Sequence, residues 1–358
     1  MWRDMGNSKK MKGAVKFIIT IFGDKHIGML LTNIYSILQS NPGSHVAVFW
    51  QDIEERLIKA IMKGFRSVTF IETDFDLTSD PIKRISSKTL LWNYAAKTYP
   101  CDNICILDVD TLVIRNIGHF FDQDFDIVFT YKDEQFPLNT GVMLCKGNKY
   151  PLFFGTWEEE TIKIINDPES FEKANSPEYP YGGPDQMSFF KLLRYNPRQR
   201  EYVLTIHGQE LIVKAMPCRI LNEVHSREIR ESTHIIHYKG GWQPILLKGQ
   251  NFTKFRTKAP SWEMYILYLK TFKKSMEYLH ANTKMCYKPK DFNMIIPFYL
   301  NTSTFAENKY LYSLYTNYNR FRGFIKRNQI FKKLKMTPGT NTQKDEVKTS
   351  LKQDKRTA

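Results

Sequence analysis

From Val15 to Lys97 the chain alternates short β-prone apolar runs with stretches of helical spacing, and this alternation constrains the fold more than any other feature. Val15 to Phe22 reads as a buried strand. Ile27 to Leu38 carries Leu30, Ile34 and Ile37 at helical spacing, up to a turn at Asn41-Pro42-Gly43. His45 to Trp50 reads as a second strand, Glu54 to Met62 as a helix, Ser67 to Ile71 as a third strand, and Ser86 to Lys97 as a helix leading into a fourth apolar run. Parallel neighbours need a crossover between them, and a helical crossover covers one face of the sheet. The expected class is therefore α/β, with a Rossmann-like, mostly parallel central sheet flanked by helices. In such sheets ligands sit at the carboxyl ends of the strands.

The fourth run, Ile106 to Ile114, contains two carboxylates in an otherwise apolar, β-prone segment. Along an extended chain, residues two apart point to the same face, so Asp108 and Asp110 should converge while Val109 packs behind them. Two anionic oxygen donors on one side suit a hard divalent cation. An Asp at a strand end also caps turns without binding anything, so the pair alone leaves both readings open.

Later elements are less regular. Asp126 to Tyr131, Gly141 to Cys145 and Thr233 to Tyr238 read as strands, and Pro151 to Ile165 and Pro184 to Arg194 as helices. Within Thr233 to Tyr238, His234 and His237 point to opposite faces, so at most one of them shares a site with the carboxylates. Gly182-Gly183-Pro184-Asp185-Gln186 opens a helix with Pro in its first turn, a pattern that ordinary capping also explains. Leu138-Asn139-Thr140-Gly141 by itself is a turn.

At 358 residues and 42% hydrophobic, the chain can bury a full core. Its formal net charge of +15 calls for an anionic partner: nucleic acid, an acidic membrane surface or a phosphorylated substrate. Cys101, Cys105, Cys145, Cys218 and Cys286 show no CxxC pair and no zinc-like spacing, and read as reduced thiols in a cytosolic setting. Met1 to Lys16 carries Lys9, Lys10, Lys12 and Lys16 but no apolar signal core, and no apolar run approaches the roughly 20 residues of a membrane span.

Taken in order, these pieces resemble the family 8 retaining glycosyltransferases, the group of glycogenin and the bacterial lipopolysaccharide galactosyl- and glucosyltransferases. The resemblance covers about Val15 to Leu247. Ser87-Lys88-Thr89-Leu90-Leu91-Trp92 followed by "NICILDVDTLVIRNIGHFFD" is similar to the family's Lys-containing helix and DxD strand, "LNTGVMLCKGN" to its "FNSGV" strand, "YGGPDQMSFF" to its "DGGDQ" helix start, and "HIIHYKGG" to its closing "VVHFxG" segment. The resemblance implies a GT-A fold, a nucleotide-sugar donor, usually a UDP-sugar, and manganese, with magnesium as the alternative. It assigns the metal to Asp108, Asp110 and His237. It assigns the donor to Thr20, Asp24, His26, Lys88, Asp108, Lys239 and Gly240, and the donor sugar and reaction face to Asn139, Asp185 and Gln186. The chain departs from the family where Ile21 and Phe22 replace small hydroxyl residues, where His26 stands for a common Tyr, and where Gln243-Pro244-Ile245 replaces Lys-Pro-Trp.

Four segments follow: a basic tail over 1–13, the glycosyltransferase domain over 14–247, a basic, aromatic helical extension over 248–335, and a disordered tail over 336–358. The extension interleaves Tyr, Phe and Trp with Lys and Arg. Either it lies on an anionic membrane, each basic residue contributing roughly 1 kcal/mol, or its helices pack on the core and show a solvated basic face. No nucleic-acid-binding motif accompanies the charge. The expectation is a metal-dependent retaining hexosyltransferase acting on a glycan or glycolipid acceptor, in the cytoplasm or peripherally at the cytosolic membrane face. A glycogenin-like protein glycosyltransferase and a non-catalytic, membrane-anchored binding module are the alternatives. The loops around Phe136, Tyr181 and Trp242 are expected to select donor, acceptor and linkage.

Overall fold

The structure, a computed structural model, describes residues 15–75, 86, 88–100, 102–132, 138–176, 182–224, 229–240, 242–248, 262–285 and 287–292. The expected 1–13 tail, most of the basic extension, the 336–358 tail, and Phe136 and Tyr181 lie outside them.

The first strands and helices form where the apolar spacing places them: β1 (Lys16–Phe22), α1 (Ile27–Ser40), β2 (His45–Gln51), α2 (Glu55–Gly64), β3 (Val68–Glu72), α3 (Lys88–Thr98) and β4 (Ile104–Asp108). There follow β5 (Thr111–Val113), β6 (Ile127–Tyr131), β7 (Leu138–Cys145), α4 (Tyr150–Asn166), α5 (Pro168–Asn175), α6 (Pro184–Leu193), β8 (Glu201–Ile206), β9 (Gln209–Pro217), α7 (Cys218–Leu221), β10 (Ile235–His237), α8 (Trp242–Lys248) and α9 (Trp262–Thr283). Eight strands make the main sheet in the order β3-β2-β1-β4-β7-β6-β9-β8, and β10 pairs with β5 in a small second sheet. β7 runs antiparallel to β4 and β6, and β8 antiparallel to β9; the other main-sheet pairs are parallel. This is the mostly parallel, helix-flanked central sheet that the sequence implies. Its core joins β1, β2, β4, β6 and β7 to Trp92, Phe153, Phe154, Trp157 and Phe189 from α3, α4 and α6.

One expectation fails at the carboxylates. The run from Ile106 to Ile114 is not a single extended strand: β4 stops at Asp108, the chain turns through Val109 and Asp110, and β5 leaves for β10. The break strands backbone groups in the interior, where each must find a partner. Polar side chains of the otherwise apolar α1 supply several. Asn33 Nδ2 donates to the Asp108 carbonyl at 3.3 Å and to Thr111 Oγ1 at 3.0 Å, and Ser36 Oγ accepts from Val113 N–H at 3.1 Å. Just after α1, Asn41 Oδ1 accepts from Ile117 N–H at 2.9 Å. A second difference concerns Asn139-Thr140-Gly141, which lies inside β7 rather than in a turn.

α9 packs on α1 and α2. It buries Met264, Tyr268, Phe272 and Leu279 there, and Tyr238 donates its hydroxyl to the Met264 carbonyl at 2.8 Å. Residues 262–283 of the basic extension therefore pack on the core. No helix among the described residues is long and apolar enough to cross a membrane.

Candidate active site

Asp108 ends β4, Asp110 closes the turn after it, and His237 ends β10, which pairs with β5 so that His237 stands opposite Thr111. The small sheet thus carries the imidazole back to the carboxylates. His237 Nε2 lies 3.0 Å from Asp110 Oδ1 and 3.7 Å from Asp108 Oδ2. One ligand atom from each of the three residues falls within 4.8 Å of the others, so the cluster can hold one metal ion. Two carboxylates and an imidazole suit manganese or magnesium better than a soft metal.

His234 points away, as the alternation demands. Its Nδ1 lies 2.9 Å from the Asn116 carbonyl oxygen, and its ring packs on His119 and Phe120.

Beside the cluster opens a cleft of about 470 Å³. Thr20, His26, Lys88, Asp108, Asp110, Asn139, Gln186, His237 and Lys239, nine residues singled out in the sequence, line it. Asp185 stands one layer behind. It is buried, with Lys88 Nζ 3.4 Å from one carboxylate oxygen and Ser86 Oγ donating to the other at 3.4 Å. Lys88 also lies 3.7 Å from Asp108 Oδ1 and over the Trp92 ring. Burial works against its charge, but Asp108 and Asp185 outweigh that cost, and its pKa rises. Asp24 and Gly240 do not line the cleft. Asp24 Oδ1 accepts from the Glu54 N–H at 2.8 Å, and Gly240 takes a positive φ of 61° in the loop after β10.

The electrostatics of the cleft follow from burial. Asp110 would be pushed up by desolvation, yet His237 and the Gln243 amide hold its carboxyl well below the usual range. Burial, with Lys132 nearby, lowers Lys239 to about 8. Burial also lowers His26. Asn139 turns its Oδ1 to the Gly141 N–H at 2.9 Å, and its buried Nδ2 has no hydrogen-bond partner among the described residues. A buried unpaired donor beside a cleft is a place for a ligand oxygen.

Gln243, noted in the sequence only as a lost lysine, donates to Asp110 Oδ2 at 3.0 Å and lines the cleft. Asn222 was missed altogether. Its Oδ1 lies 2.8 Å from His237 Nδ1. A lone Asn in an irregular segment carries no local signal; only the return of β10 brings it to the site. Trp242, expected in a specificity loop, is buried and donates its indole N–H to the Val224 carbonyl at 3.2 Å.

No protein-family model and no curated protein matches the sequence. Solved structures do. The chain is similar in fold to glycosyltransferases. GlyE of Streptococcus pneumoniae TIGR4 is 12% identical with a TM-score of 0.49, over 75% of this chain and 62% of GlyE, so this chain spans under two thirds of GlyE. The galactosyltransferase LgtC, solved with donor and acceptor sugar analogues, is 14% identical with a TM-score of 0.46, over 77% of this chain and 99% of LgtC. The bifunctional glycosyltransferase WbbM is 12% identical with a TM-score of 0.46, over 77% of this chain and 52% of WbbM.

Proposed function

We propose that the protein is a metal-dependent retaining glycosyltransferase that moves a hexose from a nucleotide sugar, UDP-glucose or UDP-galactose, to a glycan or glycolipid acceptor. The observation that carries this is the convergence of Asp108, Asp110 and His237 on one wall of a cleft that also presents Lys88, Lys239 and the Asn139 Nδ2, unpaired among the described residues. The donor set fits manganese, with magnesium as the alternative. Such a cation, when bound, supplies Lewis-acid charge to a departing diphosphate.

The chain's own groups do the rest. Lys239 adds positive charge on the diphosphate side. Lys88 offsets part of the charge of Asp108 and Asp185, which weakens the repulsion of an anionic donor by that wall. The Asn139 amide donates to the sugar, and Gln186 faces the reacting carbon. Transfer breaks the bond from the anomeric carbon to the diphosphate oxygen and forms one to the acceptor oxygen. Among the described lining residues the carboxylates are Asp108 and Asp110, both assigned to the cation. That favours a front-face route, in which the acceptor proton leaves with the diphosphate.

The test is donor hydrolysis by the purified full chain across a panel of nucleotide sugars, with manganese and with EDTA. Manganese-dependent release of UDP from one sugar is the expected result. No release from any donor, together with no nucleotide-induced thermal shift, would return the protein to the non-catalytic alternative.

A further inference from the structure

We infer that Thr130 and Asn222, neither of which lines the cleft, are positioning residues that hold His237 in the tautomer able to bind a cation; the inference rests on the metal-site reading above. Thr130 lies on β6, where the pairing with β7 slips between Val128 and Thr130 and sets Thr130 opposite Asn139. Its hydroxyl donates to the Asn139 carbonyl at 2.7 Å. A carbonyl only accepts, so the single hydroxyl proton is committed there. Thr130 Oγ1 can then meet the Asn222 side chain, also at 2.7 Å, only as an acceptor, which turns the Asn222 NH2 towards it. The other end of that amide, Oδ1, faces His237 Nδ1 at 2.8 Å, and Nδ1 must carry the proton.

In a neutral ring this order of donors leaves the lone pair on Nε2, the nitrogen facing Asp108 and Asp110. A lone pair opposite two carboxylates is repulsive until a cation stands between them. Either a proton or a metal ion fills that gap, and both leave the Nδ1 proton where the relay puts it. A neutral His237 serving only as a structural link to Asp110 would need the opposite arrangement. Its Nε2–H would donate to the carboxylate and Nδ1 would accept, so the Asn222 amide would have to flip and set its oxygen against the Thr130 oxygen. The Thr130 hydroxyl opposes that, because turning to donate to the flipped amide would take its proton from the buried Asn139 carbonyl. Thr130, Asn139, Asn222 and His237 are all buried, so water does not compete for these bonds. The same hydroxyl anchors the backbone of Asn139, whose amide faces the proposed sugar, and so ties the metal wall to the sugar wall.

Manganese binding to the full chain without nucleotide, measured by calorimetry and by electron paramagnetic resonance, tests this. The proteins are wild type, Thr130→Val, Thr130→Ser and Asn222→Leu, with Asp110→Asn as the control that removes a ligand and thermal unfolding in EDTA recorded for each. Outer partners of metal-bound histidines typically contribute about 10–100-fold to affinity. Asn222→Leu should lose affinity in that range and Thr130→Val should weaken binding, while Thr130→Ser, which keeps the hydroxyl, should restore it. Should Asn222→Leu fail to fold, the Thr130 pair decides. Wild-type affinity in Thr130→Val, or equal losses in Thr130→Val and Thr130→Ser, overturns the relay and leaves the metal site standing. No manganese binding by wild type, or undiminished binding by Asp110→Asn, overturns the metal site and the relay with it.

Discussion

Gly141 forms the floor beneath His237: a Cβ added there would stand 2.8 Å from the imidazole Nδ1, and 2.6 Å from Asp108 Oδ2. Both distances are shorter than real Cβ contacts, and both neighbours belong to the proposed metal site. The glycine is needed for space. Gly141→Ala should therefore splay the two ligands and weaken manganese binding, at a stability cost of about 1–3 kcal/mol typical of overpacking. Calorimetric metal titration and chemical denaturation of the same variant check the two halves.

Asp110→Asn removes an anionic ligand rather than an outer partner. Its effect on manganese affinity should exceed the roughly 10–100-fold of outer-partner changes, and manganese-dependent donor turnover should disappear. Wild type should gain about 2.7 kcal/mol of stability with the ion at 100 times its dissociation constant, and the variant should gain almost none. Thermal unfolding with and without manganese reads this directly. Full manganese-dependent activity in the variant would remove Asp110 from the metal site.

The two histidines of the closing segment should separate cleanly. His237→Ala should abolish the manganese-induced thermal shift. His234→Ala should leave it unchanged, because that ring faces Asn116, His119 and Phe120 on the other side of the strand. Equal losses in both would contradict the strand geometry.

Lys88→Met should destabilise the fold by about 3 kcal/mol, since it leaves the carboxylates of Asp108 and Asp185 without their shared cation in a mostly buried place. Urea unfolding gives the magnitude. The double variant Lys88→Met with Asp185→Asn should recover part of the loss, because one of the stranded charges is gone.

The elements up to β4 were legible to within a few residues at each end, because each buries an apolar stripe whose period of two or 3.6 is written in the local order of side chains. The carboxylate pair was legible for a similar reason: charge inside an apolar run is locally anomalous. Its geometry was not. The i, i+2 argument assumed one extended strand, whereas the chain breaks at Val109 and Asp110 and α1 takes up the freed backbone groups. The hairpin of β8 and β9 escaped notice, since the apolar but exposed Val203 hides in the local order of residues the alternation by which Tyr202, Leu204 and Ile206 turn inward.

What the sequence determined by itself is therefore the layered α/β architecture and the residue types at the head of the cleft, because hydrophobic periodicity and misplaced charge are properties of neighbours along the chain. The tertiary structure alone decided that Asp110 and His237, 127 residues apart, meet at 3.0 Å, and that Gln243 and Asn222 attend them. It also decided that Asp24 and Gly240 stand off the cleft. Apart from the place of Asp24, which its bond to the Glu54 N–H fixes, these outcomes depend on where β10 returns to pair with β5, and that pairing is selected by burial of the whole sheet rather than by the few residues that make it.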